Sequence, residues 1–198
     1  MHSEEDARAL CRARHTVFQM MRDRGYRISS ALRVEPSMLT APYAGALDLT
    51  IEARKRRNVV CVFWPAEEKV GVKTVREIVT ACKKNGSAHA IIVFVDQITP
   101  FAKKEMDSYD DIHIEQFRRS TLQHNVTKHV LNPPMRVLTK KETLEVIRGY
   151  GGDPAHIAKM LSGDAIARYY GLKRGAVVEI LRTSEEGHSS VAHRIVTA

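Results

Sequence analysis

From residue 58 to residue 117 the chain alternates short apolar runs with stretches of helical spacing, and this alternation restricts the fold more than any other feature. Asn58–Trp64 is rich in β-formers; Val72, Val75, Ile78, Val79 and Cys82 then recur at helical intervals as far as Asn85-Gly86. Ala90–Val95 is a near-continuous apolar run, the kind buried on both faces of a parallel sheet. Thr99-Pro100 opens a second helix, with Thr as the N-cap and Pro at the first helical position, where its missing N–H costs nothing. Ile112–Phe117 supplies a third strand. This order predicts a sheet with parallel pairs and right-handed crossovers.

The flanks extend the pattern. Residues 4–22 predict a helix, with Ser3 as N-cap and Glu4, Glu5 and Asp6 in the first turn, where carboxylates favour the helix dipole. Ala7, Leu10, Cys11, Val17, Phe18 and Met21 form its apolar stripe, and Gly25 supplies a left-handed cap. Residues 29–45, with Pro36, Pro42 and Gly45, read as irregular. Ala46–Ile51 reads as a strand joined to Asn58–Trp64 by the basic turn Arg54-Lys55-Arg56-Arg57.

Near Leu122 the composition turns polar and then Pro-rich (Asn132-Pro133-Pro134), which predicts two domains, 1–121 and 122–198. In the second, Arg136–Leu138 is a strand, and Thr139-Lys140-Lys141-Glu142 is a capping box for a helix to about Arg148. Asp164–Tyr170 is a short helix, and Ala176–Arg182 and Val191–Val196 form a hairpin around the Ser184–Ser189 loop. A domain of about 75 residues has little core of its own and is expected to lean on a partner or on the first domain.

Charge narrows the function. The 198 residues carry 31 Lys plus Arg against 23 Asp plus Glu, a formal net charge of +8, which points to contact with a polyanion. No run of 18 apolar residues offers a transmembrane helix, the acidic N-terminus lacks a signal-peptide core, and Cys11, Cys61 and Cys82 are odd in number and set in apolar runs. A soluble intracellular protein without disulfides is expected.

The cations fall into groups. Arg54 and Arg56 in the basic turn, Lys83-Lys84, and Lys103 and Lys104 are candidates for DNA phosphates, which demand charge and carry no sequence information. Thr99 and Pro100 add a helix N-terminus, whose amides favour a phosphate. A second group surrounds Gly171-Leu172-Lys173-Arg174-Gly175: both glycines can take positive φ in a tight helix-to-strand turn, with Arg168, Lys173, Arg174 and Arg182 expected around it. Arg and Tyr are favoured anchors in protein interfaces, so Arg168, Tyr169, Tyr170, Gly171, Lys173, Arg174, Gly175 and Arg182 are candidates for a docking surface, with a solvated turn as the alternative reading.

Catalytic and metal readings are weaker. Asp48 with Glu67-Glu68-Lys69 loosely fits a Mg²⁺-dependent nuclease, but Pro65-Ala66 interrupts the strand and leaves Glu67 and Lys69 in a loop. The closest histidine pairs, His124/His129 and His188/His193, are five apart and miss helical ligand spacing; no Cys-x-x-Cys exists. Gly149–Gly152 is no phosphate loop, lacking the strand before it and the Lys after it. No cofactor, metal, catalytic residue or small-molecule substrate is expected; a free-standing DNA-binding protein is the other alternative.

Residues 163–175, Gly-Asp-Ala-Ile-Ala-Arg-Tyr-Tyr-Gly-Leu-Lys-Arg-Gly, followed by Val177–Arg182 and Ser184-Glu185, closely resemble the signature of the fifth subunit of eukaryotic nuclear RNA polymerases, whose C-terminal domain is similar to a shorter archaeal RNA polymerase homologue. Asn125–His129 and Thr139–Glu142 match the start of that domain. Asp23–Tyr26, Phe63–Pro65, Val70–Thr74, Ile98–Pro100 with Ala102-Lys103, and Ile114–Phe117 match blocks of the eukaryotic N-terminal part. The resemblance implies an α/β jaw domain of truncated restriction-endonuclease-like fold, followed by a small α+β assembly domain like the archaeal homologue. It further implies a non-catalytic subunit near downstream duplex DNA, bound to the largest subunit and other polymerase subunits, in the nucleus, or in the nucleolus if specific to the ribosomal RNA polymerase. Three stretches depart from the family: His156–Met160 where Leu-Pro-Arg-Ile is common, Asp164-Ala165 for Asp-Pro, and Thr99-Pro100-Phe101-Ala102 for Thr-Pro-Ser-Ala. The first two fall where the resemblance implies that the C-terminal domain meets its partner, and they bear on whether this is a paralogue specific to one polymerase class.

Overall fold

The structure, a computed structural model, describes residues 4–28, 51–55, 58–65, 67–183 and 188–198. Internal contacts divide the chain into two units, Met1–His124 and Asn125–Ala198.

In the first unit, helix α1 (Glu4–Asp23) precedes β1 (Arg27–Ile28), β2 (Ile51–Lys55), β3 (Asn58–Phe63) and β4 (Lys69–Val70). Helix α2 (Val72–Lys84), β5 (His89–Phe94), β6 (Gln97–Ile98), α3 (Pro100–Asp107) and β7 (His113–Arg118) follow. The main sheet has the order β1-β2-β3-β5-β7, with β3, β5 and β7 parallel and β1 and β2 antiparallel. The parallel core is the predicted alternation, and β5 is buried at its four central positions because helices cover both faces. Cys61, Ala90 and Ile92 face Val75, Ile78, Val79 and Cys82 of α2 and Ala102 and Met106 of α3. The opposite face meets α1: Arg24 reaches Glu115 of β7, and the Arg14 guanidinium lies 5.8 Å from the Trp64 ring centre. After β7 a 3₁₀ turn, Arg119–Leu122, returns to α1, where the Gln123 side-chain amide donates to the Ala9 carbonyl at 3.0 Å.

Local chemistry explains the helix ends. Gly25 has φ 81°, as its capping role requires, while the Ser3 cap lies outside the described residues. The Thr99 hydroxyl accepts from the Ala102 amide at 3.3 Å, and Pro100 occupies the first helical position. A strand occupies Ile51–Lys55; of the expected strand Ala46–Ile51, residues 46–50 lie outside the described residues. Arg54 and Lys55 pair with Val59 and Asn58 within the ladder instead of forming the turn. Residues 29–45 and Asp48 lie outside the described residues.

The second unit is a four-stranded sheet, β8-β10-β11-β9, built from β8 (Met135–Val137), β9 (Ala158–Leu161), β10 (Val177–Thr183) and β11 (Ser189–Thr197). The predicted hairpin β10–β11 is its antiparallel centre; β9 joins parallel to β11 at one edge. Helix α4 (Lys140–Gly149) packs through Val146 and Ile147 on Leu138, Ile157, Val177 and Ile195. Helix α5 (Ala165–Tyr170) covers the other face, with Ala167 against Met160, Val178, Ile180 and Val196. The capping box is complete: the Glu142 amide donates to Thr139 Oγ1 and the Thr139 amide to Glu142 Oε2. Arg136 and the Thr139 groups hold the Glu142 carboxyl down at about 2.

Candidate nucleic-acid and subunit interfaces

The α3 start is built by a short ribbon that the sequence did not announce. Strands β4 and β6 pair in parallel, and the Thr99 amide donates to the Val70 carbonyl at 3.1 Å, fixing where the helix begins. The Thr99 hydroxyl takes the Ala102 amide and the Thr99 carbonyl takes the Lys103 amide, so the Phe101 amide is the first-turn donor left without a partner among the described residues. The expected row of free amides thus contracts to one. Around it Pro100, Lys103 and Lys104 are exposed, and Phe101, at 75% exposure, projects an aromatic ring into solvent. Of the other cations, Lys83 pairs with Asp111 at 3.0 Å and lies over the Tyr109 ring. Arg54 belongs to the β2 ladder, and Arg56 lies outside the described residues.

The Gly-bracketed turn is assembled as its residue types require. Gly171 caps α5 with φ 62° and Gly175 has φ 85°; the Leu172 amide bonds the Ala167 carbonyl and the Gly175 amide the Val196 carbonyl, both at 2.9 Å. Arg168, Lys173 and Arg174 are exposed around it. Two expected members are displaced. Tyr169 is only 3% exposed; its hydroxyl accepts from the Asn125 side-chain amide at 3.0 Å, so it is a core residue that ties the start of the unit to α5. Arg182 sits near the far end of β10, opposite Ser190, six residues beyond Ala176 and roughly 20 Å along the strand. It is exposed but does not join the turn.

The nuclease constellation is not assembled among the described residues. Lys69 begins β4 rather than standing in a loop, and the exposed Glu67 accepts the Thr74 hydroxyl at 2.8 Å.

One polar cluster escaped the sequence reading. His89 and His113 open β5 and β7 as register partners, their ring centres 5.1 Å apart, and Glu115 follows on the same face. Arg24 donates from Nη1 and Nη2 to the two Glu115 oxygens at 2.9 and 2.8 Å, and His89 Nε2 lies 2.7 Å from Glu115 Oε1. Burial raises the Glu115 carboxyl, but the His89 and Arg24 contacts outweigh it and hold the group at about 2. The period-two alternation of His113 and Glu115 was legible; the strand register that adds His89 was not. Among the described residues the histidine pairs close in sequence make no such cluster: His193 contacts Tyr150 and Glu179, and His129 Nδ1 accepts from the Leu131 amide.

Residues 4–82 match the family described as RNA polymerase Rpb5, N-terminal domain, and residues 124–196 match RNA polymerase Rpb5, C-terminal domain. The chain is 34% identical over 197 residues to the Dictyostelium discoideum protein named DNA-directed RNA polymerases I, II, and III subunit rpabc1, covering 96% of this chain and 98% of that one. It is 32% identical to the Caenorhabditis elegans subunit RPABC1 of polymerases I, II and III, over 94% of this chain and 95% of that one. It is 28% identical to the Arabidopsis thaliana DNA-directed RNA polymerase V subunit 5C, over 93% of this chain and 82% of that one. The chain is therefore a subunit of a DNA-directed RNA polymerase, and a non-catalytic one, with other polymerase subunits as its partners. It belongs to the Rpb5 family. None of these matches supports the nuclease alternative.

Proposed function

We propose that the second unit braces the polymerase's largest subunit while the first forms part of the lower jaw beside downstream duplex DNA. The observation that supports the bracing role is the Gly171–Gly175 turn. It is rigidly capped and hydrogen-bonded, yet presents Arg168, Lys173 and Arg174 outward. A preordered turn loses little entropy on docking, and Arg is a favoured interface anchor. Tyr170, half-buried beside Tyr169 at 5.2 Å between ring centres, supports the α5 end of that surface. The β3-β5-β7 parallel core with antiparallel β2 suits the truncated restriction-endonuclease-like jaw. Work in a eukaryotic nucleus follows from kinship with subunits of polymerases I, II and III. The class served, and with it a nucleolar place, is set by which largest subunit the chain joins.

The test is affinity purification of a tagged chain from its native cell, with the co-purifying largest subunit identified by mass spectrometry. Removing charged anchors from a buried interface costs ~2–5 kcal/mol. Arg168→Ala/Arg174→Ala is expected to deplete the polymerase from the purification while the isolated chain unfolds as before. Undiminished recovery places these side chains in solvent.

The jaw role rests on the α3 start. Binding of the purified chain to a duplex of arbitrary sequence is expected to fall steeply with salt. Lys103→Ala/Lys104→Ala is expected to lower the log–log salt slope by about 2. An unchanged slope, measured by fluorescence anisotropy, removes these lysines from the DNA surface.

A further inference from the structure

We propose that His89, His113 and Glu115 form a binding site for one divalent transition-metal ion of the Zn²⁺ class. Their donor atoms all lie within 4.8 Å of one another. The fold converges them: in-register parallel pairing sets the two imidazoles side by side at the first residues of β5 and β7, and the pleat returns Glu115 to the same face.

His89 Nε2 carries the argument. It is shut off from solvent and lies 2.7 Å from Glu115 Oε1, yet has no hydrogen-bond partner in acceptable geometry. The atoms are close without a well-formed hydrogen bond between them. When His89 carries its proton on Nδ1, two lone pairs confront each other there. A cation seated between nitrogen and carboxylate removes the conflict. Arg24 supplies the outer support that ligating carboxylates characteristically have, fixing the plane of Glu115 through both oxygens.

Two imidazoles and a carboxylate suit Zn²⁺ rather than Mg²⁺ or Ca²⁺, which favour all-oxygen shells. Bonds of about 2.0–2.2 Å in a tetrahedron put donors about 3.3 Å apart. The 2.7 Å contact opens slightly, and the exposed His113 ring swings inward to close the remaining distance. The fourth position, on the exposed His113 side, takes water. The positive charge of Arg24 opposes the ion, so the affinity falls below that of closed thiolate sites. A bound ion would pin the starts of β5 and β7 beneath the end of α1.

The test is a Co²⁺ titration of the full chain near pH 7.5, read by visible d–d absorption and reversed by Zn²⁺. We expect one saturable equivalent, at least tenfold weaker binding for His113→Ala and for His89→Gln, and no change for His124→Ala. His113 is exposed, so its variant is expected to keep the fold, checked by circular dichroism. Zn²⁺ is expected to raise the thermal midpoint of the native chain and leave that of His113→Ala unmoved. No saturable binding overturns the site. So does binding that survives both substitutions, which would mark an adventitious ion only.

Discussion

Replacing Arg24 with alanine is expected to destabilise the first unit by ~3–5 kcal/mol, the usual cost of removing one partner from a buried ion pair. The Arg24 and Glu115 side chains are 4% and 14% exposed, and both guanidinium–carboxylate contacts are short. Such a pair adds little net stability over well-packed apolar residues, because desolvation opposes the Coulombic gain. The asymmetry comes from what is left behind: Arg24→Ala leaves a buried carboxylate without its guanidinium. Glu115→Gln in the Arg24→Ala background is therefore expected to recover part of the loss. Urea unfolding decides, with the midpoint falling at an unchanged slope. A loss below about 1 kcal/mol would class the pair with solvent-screened surface bridges. Because the pair joins the end of α1 to β7, the same variant is expected to loosen α1 first, seen as faster amide exchange there than in β5.

Arg24 also marks where the sequence stopped being legible. Its neighbour Gly25 was readable because a left-handed cap is a local signal. Arg24's partner stands 91 residues further on, across the sheet, and no spacing rule reaches that far. The same divide runs through the molecule. The α2 stripe, the Thr99 cap and the Thr139 capping box were each fixed by residues within one or two turns, and each formed as expected. Strands β1, β4 and β6 have two residues apiece and exist only because a distant backbone pairs with them. Arg182 is a different failure. Its strand was legible, and strand rise alone carries it away from the Gly175 turn, because proximity in sequence is not proximity in space along an extended backbone. Tyr169 went astray because an interface anchor and a core tyrosine have the same composition signal, and only the Asn125 contact tells them apart.

That distinction sorts the departure at His156–Met160. Ile157 and Met160 are 1% and 4% exposed and face opposite core clusters, while His156, Ala158 and Lys159 face outward. The stretch therefore combines two kinds of substitution: core residues that set whether the unit folds, and surface residues of the edge strand β9 that can set what it meets. Ile157→Ala is expected to cost ~2–5 kcal/mol through lost burial and the cavity left among Leu138, Val177 and Ile195. In a unit of about 75 residues, whose whole stability is of the same order, that loss abolishes or nearly abolishes its folding transition. Incorporation into polymerase then falls with it, for reasons of folding alone. Lys159→Glu is expected to leave the transition within about 0.5 kcal/mol, since its side chain packs on no core. A fall in incorporation for Lys159→Glu at unchanged stability would make β9 a contact edge with the partner subunit. Normal incorporation would confine partner choice to other surfaces, the Gly171–Gly175 turn first among them. Denaturant unfolding and polymerase co-purification, run on both variants, separate a folding defect from a docking defect at positions two residues apart.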